Sequence, residues 1–177
     1  RSALRELARI SDVVTLDIEA VSAAALANLE ASGATVAPSS KVLGTIQDKL
    51  VQKQFLSARG LPTGRYAAID DAAGLNAFGL PCILKARRHG YDGRGVKRVS
   101  TLADAAPLLD GGPCMAEEIV DIDKELAIMV ARSPRGEIAL YPVVEAEFDA
   151  AANILNTIKA PAAVPAAIVT AVSYTHL

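Results

Sequence analysis

The sequence predicts a mixed α/β (α+β) fold with more than one small sheet. Three observations carry this. Residues 12–38 run strand, helix, strand; residues 63–120 follow the order β-α-β-β-α-β; and residues 125–160 hold three more strand patterns around a Ser133-Pro-Arg-Gly136 turn. The chain has 177 residues, 51% of them hydrophobic, which is room for one ordinary domain or two small ones with a real core.

In chain order, Arg1 to Ile10 reads as the tail of a helix. Asp12-Val-Val-Thr-Leu16 reads as a buried strand that leads to a carboxylate pair, Asp17 and Glu19. Val21, Ala25 and Leu29 recur at helical spacing until Gly33 caps the helix, and Thr35–Pro38 is a short strand. A β–α–β of this kind is the last part of a doubly wound domain, in which ligands sit at the carboxyl ends of strands. Asp17 and Glu19 are thus placed to meet a ligand, although solvated loop carboxylates fit the same pattern. Ser39 or Ser40 caps the next helix, whose apolar stripe of Leu43, Ile46, Leu50, Val51, Phe55 and Ala58 predicts one element up to Gly60, with Pro62 as a stop. Its polar face, Gln47, Asp48, Lys49, Gln52 and Lys53, reads as solvated.

From Thr63 to Ile69 the pattern is a strand, and Asp70 or Asp71 then starts a helix to Phe78. Pro81–Arg87 is a buried strand carrying Lys85, and Val96–Val99 is its returning partner. Between them lies His89-Gly-Tyr-Asp-Gly-Arg-Gly95, a glycine-rich turn flanked by Lys85, Arg87 and Arg88. Glycines let backbone N–H groups approach an anion closely, so such a hairpin can close over phosphates. The spacing is neither that of a P-loop nor a Rossmann fingerprint. The same residues also suit a basic surface hairpin. Thr101 caps a helix to Leu109, Asp110-Gly-Gly-Pro113 breaks it, and Cys114–Val120 is the last strand of the group. Glu117 and Glu118 at its end are solvent-facing strand ends on composition alone. Glu125–Ala131 and Ile138–Val144 form an antiparallel pair, Asn153–Ala160 a further strand, and Ala162–Ala171 the start of a helix.

The balance of 18 Lys+Arg against 20 Asp+Glu gives a formal charge of −2, so the cations are local and no general nucleic-acid affinity follows. Cys82 and Cys114 sit in apolar stretches without Cys-x-x-Cys spacing and read as buried free thiols of a cytoplasmic protein. No apolar run has the length to cross a bilayer, and no signal-like segment opens the chain.

Lys85-Ala-Arg-Arg88 followed by Gly90-Tyr-Asp-Gly-Arg-Gly95 resembles the phosphate-covering loop of the ATP-grasp enzymes, and among them that of the N5-carboxyaminoimidazole ribonucleotide synthetase family. Seven ordered segments agree: Asp12–Thr15, Ile46–Lys49 with Gln52-Lys53, Glu117–Val120, Lys124–Leu126, Tyr141–Glu145 and Asn153–Leu155. The resemblance implies a partial ATP-grasp fold. Residues 1–38 would end an amino-terminal domain, 39–60 connect, 61–120 form the lid, 121–171 begin the large antiparallel sheet, and 172–177 be an unmatched tail. It implies ATP-dependent carboxylation of 5-aminoimidazole ribonucleotide with bicarbonate, in purine biosynthesis, through carboxyphosphate.

The roles implied are as follows. Lys85, Tyr91, Asp92 and Arg94 are the catalytic residues, Lys85 at the transferred phosphoryl group, and with Lys49, Gly90, Gly93, Gly95 and Val96 they bind the nucleotide. Glu117, Glu118, Ile119 and Val120 hold adenine, and Glu125 takes the ribose hydroxyls. Asp17, Glu19, Tyr91 and Asp92 face the imidazole ribonucleotide, with Asp17 replacing the family's usual Glu. Phe148 stands where the family has His. Magnesium ligands would lie beyond Leu177, with no metal site in this chain, which looks truncated; its partners would be small molecules and, for the complete enzyme, a second copy in a homodimer, with no nucleic acid or membrane. Another ATP-grasp ligase, such as a ribonucleotide formyltransferase or biotin carboxylase, or a nucleotide-binding fragment without catalysis, are the alternatives.

Overall fold

The computed structural model describes residues 2–90, 95–149 and 154–175. Two compact units make up the chain, Arg1–Ile119 and Val120–Leu177.

In the first unit, helix α1 (Ser2–Arg9) precedes a parallel bridge between Val14 and Val36 that flanks α2 (Ala23–Ala31). Ser22 caps α2 by accepting from the Ala25 amide, and Gly33, at φ +91°, turns the chain out of the helix. Leu26 and Leu29 meet Leu43 of α3 (Ser40–Ile46) in a small core, with Leu4, Leu16 and Val21 packed against it. The expected strand at 12–16 shrinks to the one bridge: Val14 is buried but Val13 is half exposed. A lone strand pair is marginal without further strands to extend it.

The single helix expected over 39–60 is two helices. Asp48 adopts an extended conformation and caps α4 (Lys49–Ser57), its Oδ1 accepting from the amides of Leu50 at 3.0 Å and Val51 at 3.4 Å. The apolar stripe runs through the break because Leu43 and Leu50 are both buried. The break itself comes from a short acceptor side chain that competes with the helical backbone.

The order β-α-β-β-α-β appears as expected. Strands β1 (Tyr66–Ile69), β2 (Cys82–Ala86), β3 (Val96–Val99) and β4 (Cys114–Glu117) alternate with α5 (Ala72–Phe78) and α6 (Leu102–Leu109). Asp71 caps α5, and Thr101 with Asp104 forms a capping box on α6. All pairings are antiparallel, in the spatial order β1-β4-β2-β3. Ile69, Cys82, Leu84, Cys114 and Ala116 pack with Leu75 of α5 and Ala105 of α6 into one core. The two-residue period of a strand therefore sends Lys85, Met115 and Glu117 to the opposite face. That parity decides where the chemistry sits.

In the second unit, β5 (Glu125–Ala127) pairs β8 (Val144–Asp149), which pairs β9 (Ile154–Lys159), and β6 (Val130–Arg132) pairs β7 (Ile138–Leu140). The two long strands expected over 125–131 and 138–144 are thus each divided, and their halves enter different sheets. Lys124 Nζ lies 2.6 Å from Oε1 of the buried Glu145. Helix α7 (Ala166–Thr175) starts after Pro165 and runs past Ala171 into the segment expected to be an unmatched tail.

Candidate functional site

The sheet face opposite α5 and α6 carries an ionic cluster. Register puts Ile83 of β2 opposite Glu117 of β4 and Lys85 opposite Met115, so Lys85 and Glu117 are diagonal neighbours on one face. Diagonal pairs are within reach of a long side chain. Lys85 Nζ pairs with Glu117 Oε2, and Lys53 Nζ, from α4, lies 2.9 Å from Oε1. Glu117 is 9% exposed, and both lysine side chains are about a quarter exposed. Burial pushes the Glu117 carboxyl up, but the ammonium groups of Lys85 and Lys53 outweigh it and hold it below the usual range. The Lys53 ammonium stands at ion-pair distance from the buried Oε1, so each carboxylate oxygen of Glu117 faces one lysine. One carboxylate serving two ammonium groups leaves a local excess of positive charge.

Lys53 was expected to be surface. It is half-buried at this cluster because it follows the buried Leu50 by three residues, on the same side of α4. The spacing from Leu50 is a usable signal in the sequence.

A second cluster closes the base of the glycine hairpin. Asp48, 4% exposed, accepts from Arg87 Nε at 3.0 Å and from a terminal guanidinium nitrogen of Arg87 at 2.7 Å, a two-pronged pair, and Arg88 Nε is 3.5 Å away. Lys49 N–H donates to Arg87 C=O at 3.0 Å, and Arg87 N–H donates to Pro113 C=O at 3.1 Å. Burial pushes the Asp48 carboxyl up; hydrogen bonds from Arg87 and from the Val51 and Leu50 amides, with the charge of Arg87, overcome it and hold it low. Asp48 had been read as solvated. The next residue back, Gln47, donates from Nε2 to the carbonyls of Glu19 and Val21, both at 2.6 Å.

These contacts frame a cavity of about 320 Å³ lined by Glu19, Gln47, Lys49, Arg88, His89 and Gly90, among others. His89 holds φ 61°, uncommon for a residue with a side chain. Gly95 closes the hairpin at φ +77°, where a Cβ would stand 3.2 Å from Gly90 Cα and 3.3 Å from Ala86 Cβ. Ala86 N–H donates to Gly95 C=O at 2.7 Å. Glycine is required there by both conformation and space.

Of the residues singled out in sequence, Lys85 meets Glu117, and Lys49, Glu19 and Gly90 share the cavity. Asp17 is exposed and outside that lining. Val96 opens β3 opposite Lys85. Glu118 is turned to β1, accepting from Arg65 N–H at 2.7 Å, while Ile119 and Val120 are exposed beyond β4. Glu125 is exposed at the start of β5 in the second unit, and Phe148 is exposed on β8. Tyr91, Asp92, Gly93, Arg94 and Asn153 lie outside the described residues. Among the described residues, no group of three or more His, Cys, Asp or Glu side chains is placed to hold a metal ion, and no helix is long and apolar enough to cross a membrane.

The model of the ATP-grasp domain matches residues 54–175. The N5-carboxyaminoimidazole ribonucleotide synthase of Synechococcus elongatus is 39% identical over 179 residues, covering 97% of this chain and 45% of that protein. A crystal structure of an ADP complex of N5-carboxyaminoimidazole ribonucleotide synthetase superposes with a TM-score of 0.91 at 28% identity, covering 99% of this chain and 48% of that one. The Aspergillus clavatus enzyme in complex with ADP and 5-aminoimidazole ribonucleotide superposes with a TM-score of 0.85 at 32% identity, over 98% of this chain and 46% of that one. The chain thus spans under half the length of these relatives.

Proposed function

The chain belongs to the ATP-grasp family and has part of its fold, and from that premise we propose that it is the lid and adjoining segments of an N5-carboxyaminoimidazole ribonucleotide synthase. In a polypeptide of the relatives' length, it would carboxylate 5-aminoimidazole ribonucleotide with bicarbonate at the expense of ATP, releasing ADP and phosphate. The observation that carries the nucleotide part is the Lys85–Glu117–Lys53 cluster on the open face of the β1–β4 sheet. Its resemblance to enzymes solved with ADP and 5-aminoimidazole ribonucleotide supports the rest.

The roles follow from charge and reach. Lys85 and Lys53 neutralise charge on the nucleotide phosphates; phosphoryl transfer is largely a matter of positioning and such neutralisation. Glu117, whose carboxylate lies buried on the same sheet face, accepts from the exocyclic amine of adenine, a contact strengthened by its charge. The backbone of Ile119 and Val120 pairs with the adenine edge, and Glu125 accepts from the ribose hydroxyls. Glu118 contributes through its backbone, since its carboxylate is taken by Arg65. Lys49 and Arg88 supply cations to the cavity, where Glu19 faces the imidazole ribonucleotide. Asp17, Tyr91, Asp92, Gly93, Arg94, Gly95 and Val96 keep the family roles read for them in sequence. Closure of the hairpin would keep water from carboxyphosphate. Magnesium is proposed for the complete enzyme. The described residues offer it no cluster of ligands, so no step is assigned to it. A homodimer and a cytoplasmic location belong to the same proposal.

Calorimetric titration of the chain with ATP tests the nucleotide reading. Saturable binding of ATP, weakened in Lys85→Ala, supports it; no heat of binding at millimolar ATP defeats it.

A further inference from the structure

The proposed chemistry gives Asp48 no role, yet Asp48 joins the start of α4 to Arg87 and Arg88. It caps α4 through Leu50 and Val51, grips Arg87 with two hydrogen bonds and reaches Arg88, 39 and 40 residues further along the chain. The residue after it, Lys49, donates its amide to the Arg87 carbonyl. The residue before it, Gln47, holds the carbonyls of Glu19 and Val21. Two segments remote in sequence, 19–21 and 87–88, are therefore fixed to one two-residue break between helices, and they and the helix that follows the break each place a residue on the 320 Å³ cavity: Glu19, Arg88 and Lys49.

We infer that Asp48 is a positioning residue: it acts through Arg87 to hold Lys49 and the Arg88–Gly90 wall in the spacing that receives an anionic ligand. The carboxylate is too buried to meet a ligand itself. A lysine would serve poorly in place of Arg87, because the two parallel N–H groups of a guanidinium set orientation as well as charge. The cap ties this to α4, so the same carboxylate fixes the start of the helix that carries Lys53. In function this rests on the nucleotide reading above; in geometry it does not.

The test uses the 177-residue chain and two variants, Asp48→Asn, which keeps a capping oxygen, and Arg87→Lys, which keeps the cation. Amide hydrogen exchange is read at Lys49 and Arg87 and, as a reference, in the middle of β2. ATP affinity is read by calorimetry. Positioning predicts that both variants speed exchange at Lys49 and Arg87 while β2 stays within about twofold, and that the ATP dissociation constant rises roughly fivefold to thirtyfold. Unchanged exchange at Lys49, or equal acceleration in β2, overturns the inference, since the carboxylate would then be idle or merely structural. If the unaltered chain binds no ATP, the nucleotide reading fails, and the exchange pattern alone still decides whether Asp48 positions the cavity wall.

Discussion

Replacing Glu117 by Gln removes one charge and almost no volume from the centre of the ionic cluster. At an effective dielectric of about 20, each ammonium at contact distance gains about 4 kcal/mol from the carboxylate, before the cost of drying all three groups is subtracted. The lysines are a quarter exposed and regain water when released, so a net loss of about 2 kcal/mol is expected. That is about a thirtyfold rise in exchange of the slowest β2 and β4 amides at neutral pH. The sign with pH follows from the folded carboxyl being held below its ordinary value of 4.5. Its contribution is complete above that value and lost as pH falls through the folded pKa, because the protonated acid no longer pairs with either lysine. The difference between the wild-type and Gln forms should therefore shrink as pH falls below 4.5. A thirtyfold difference that stays unchanged down to the lowest pH at which both forms remain folded, or no difference at pH 7, would refute the assignment of the cluster as an ion-paired one.

Three more outcomes are expected. Lys85→Ala should weaken ATP binding by about 1.5–3 kcal/mol, the worth of a charge-assisted contact, with Lys53→Ala giving a smaller loss, both read by calorimetry. Gly95→Val should lose ATP binding and also lower the melting temperature, since its Cβ meets Gly90 and Ala86 and its φ is left-handed; an unchanged melting temperature would contradict the tight hairpin base. Cys82 and Cys114 are fully buried and burial raises both thiols, so a thiol reagent should leave them unmodified in the native chain and label both in urea.

The lid was legible because each of its parts announces itself locally. Asp71 and Thr101 cap, Gly79 and Gly112 turn, and strand alternation places Cys82 and Leu84 in the core. The glycine loop and the ordered motifs carried the family. The ionic clusters were hidden because they depend on pairings between distant elements. Nothing local says that β2 lies beside β4, which is what brings Lys85 to Glu117. Asp48 looked like one more polar residue on a helix surface, since the stripe from Leu43 to Leu50 continues across the break that Asp48 itself makes. Its partner Arg87 was visible only as part of a basic run. Division of the strand after Ala127 was likewise invisible, because the apolar run continues through Ile128 and Met129, whereas Pro142 marked the break after Leu140.

Phosphate release from ATP and bicarbonate is the most direct measurement of the proposed activity, made on a polypeptide of the relatives' length that carries this segment, with and without 5-aminoimidazole ribonucleotide. The prediction is release that is strongly stimulated by the ribonucleotide, with one N5-carboxylated product formed per phosphate, and abolished by Lys85→Ala. Release indifferent to 5-aminoimidazole ribonucleotide, but stimulated by another ribonucleotide or by biotin, would contradict it and assign the segment to a different ATP-grasp ligase.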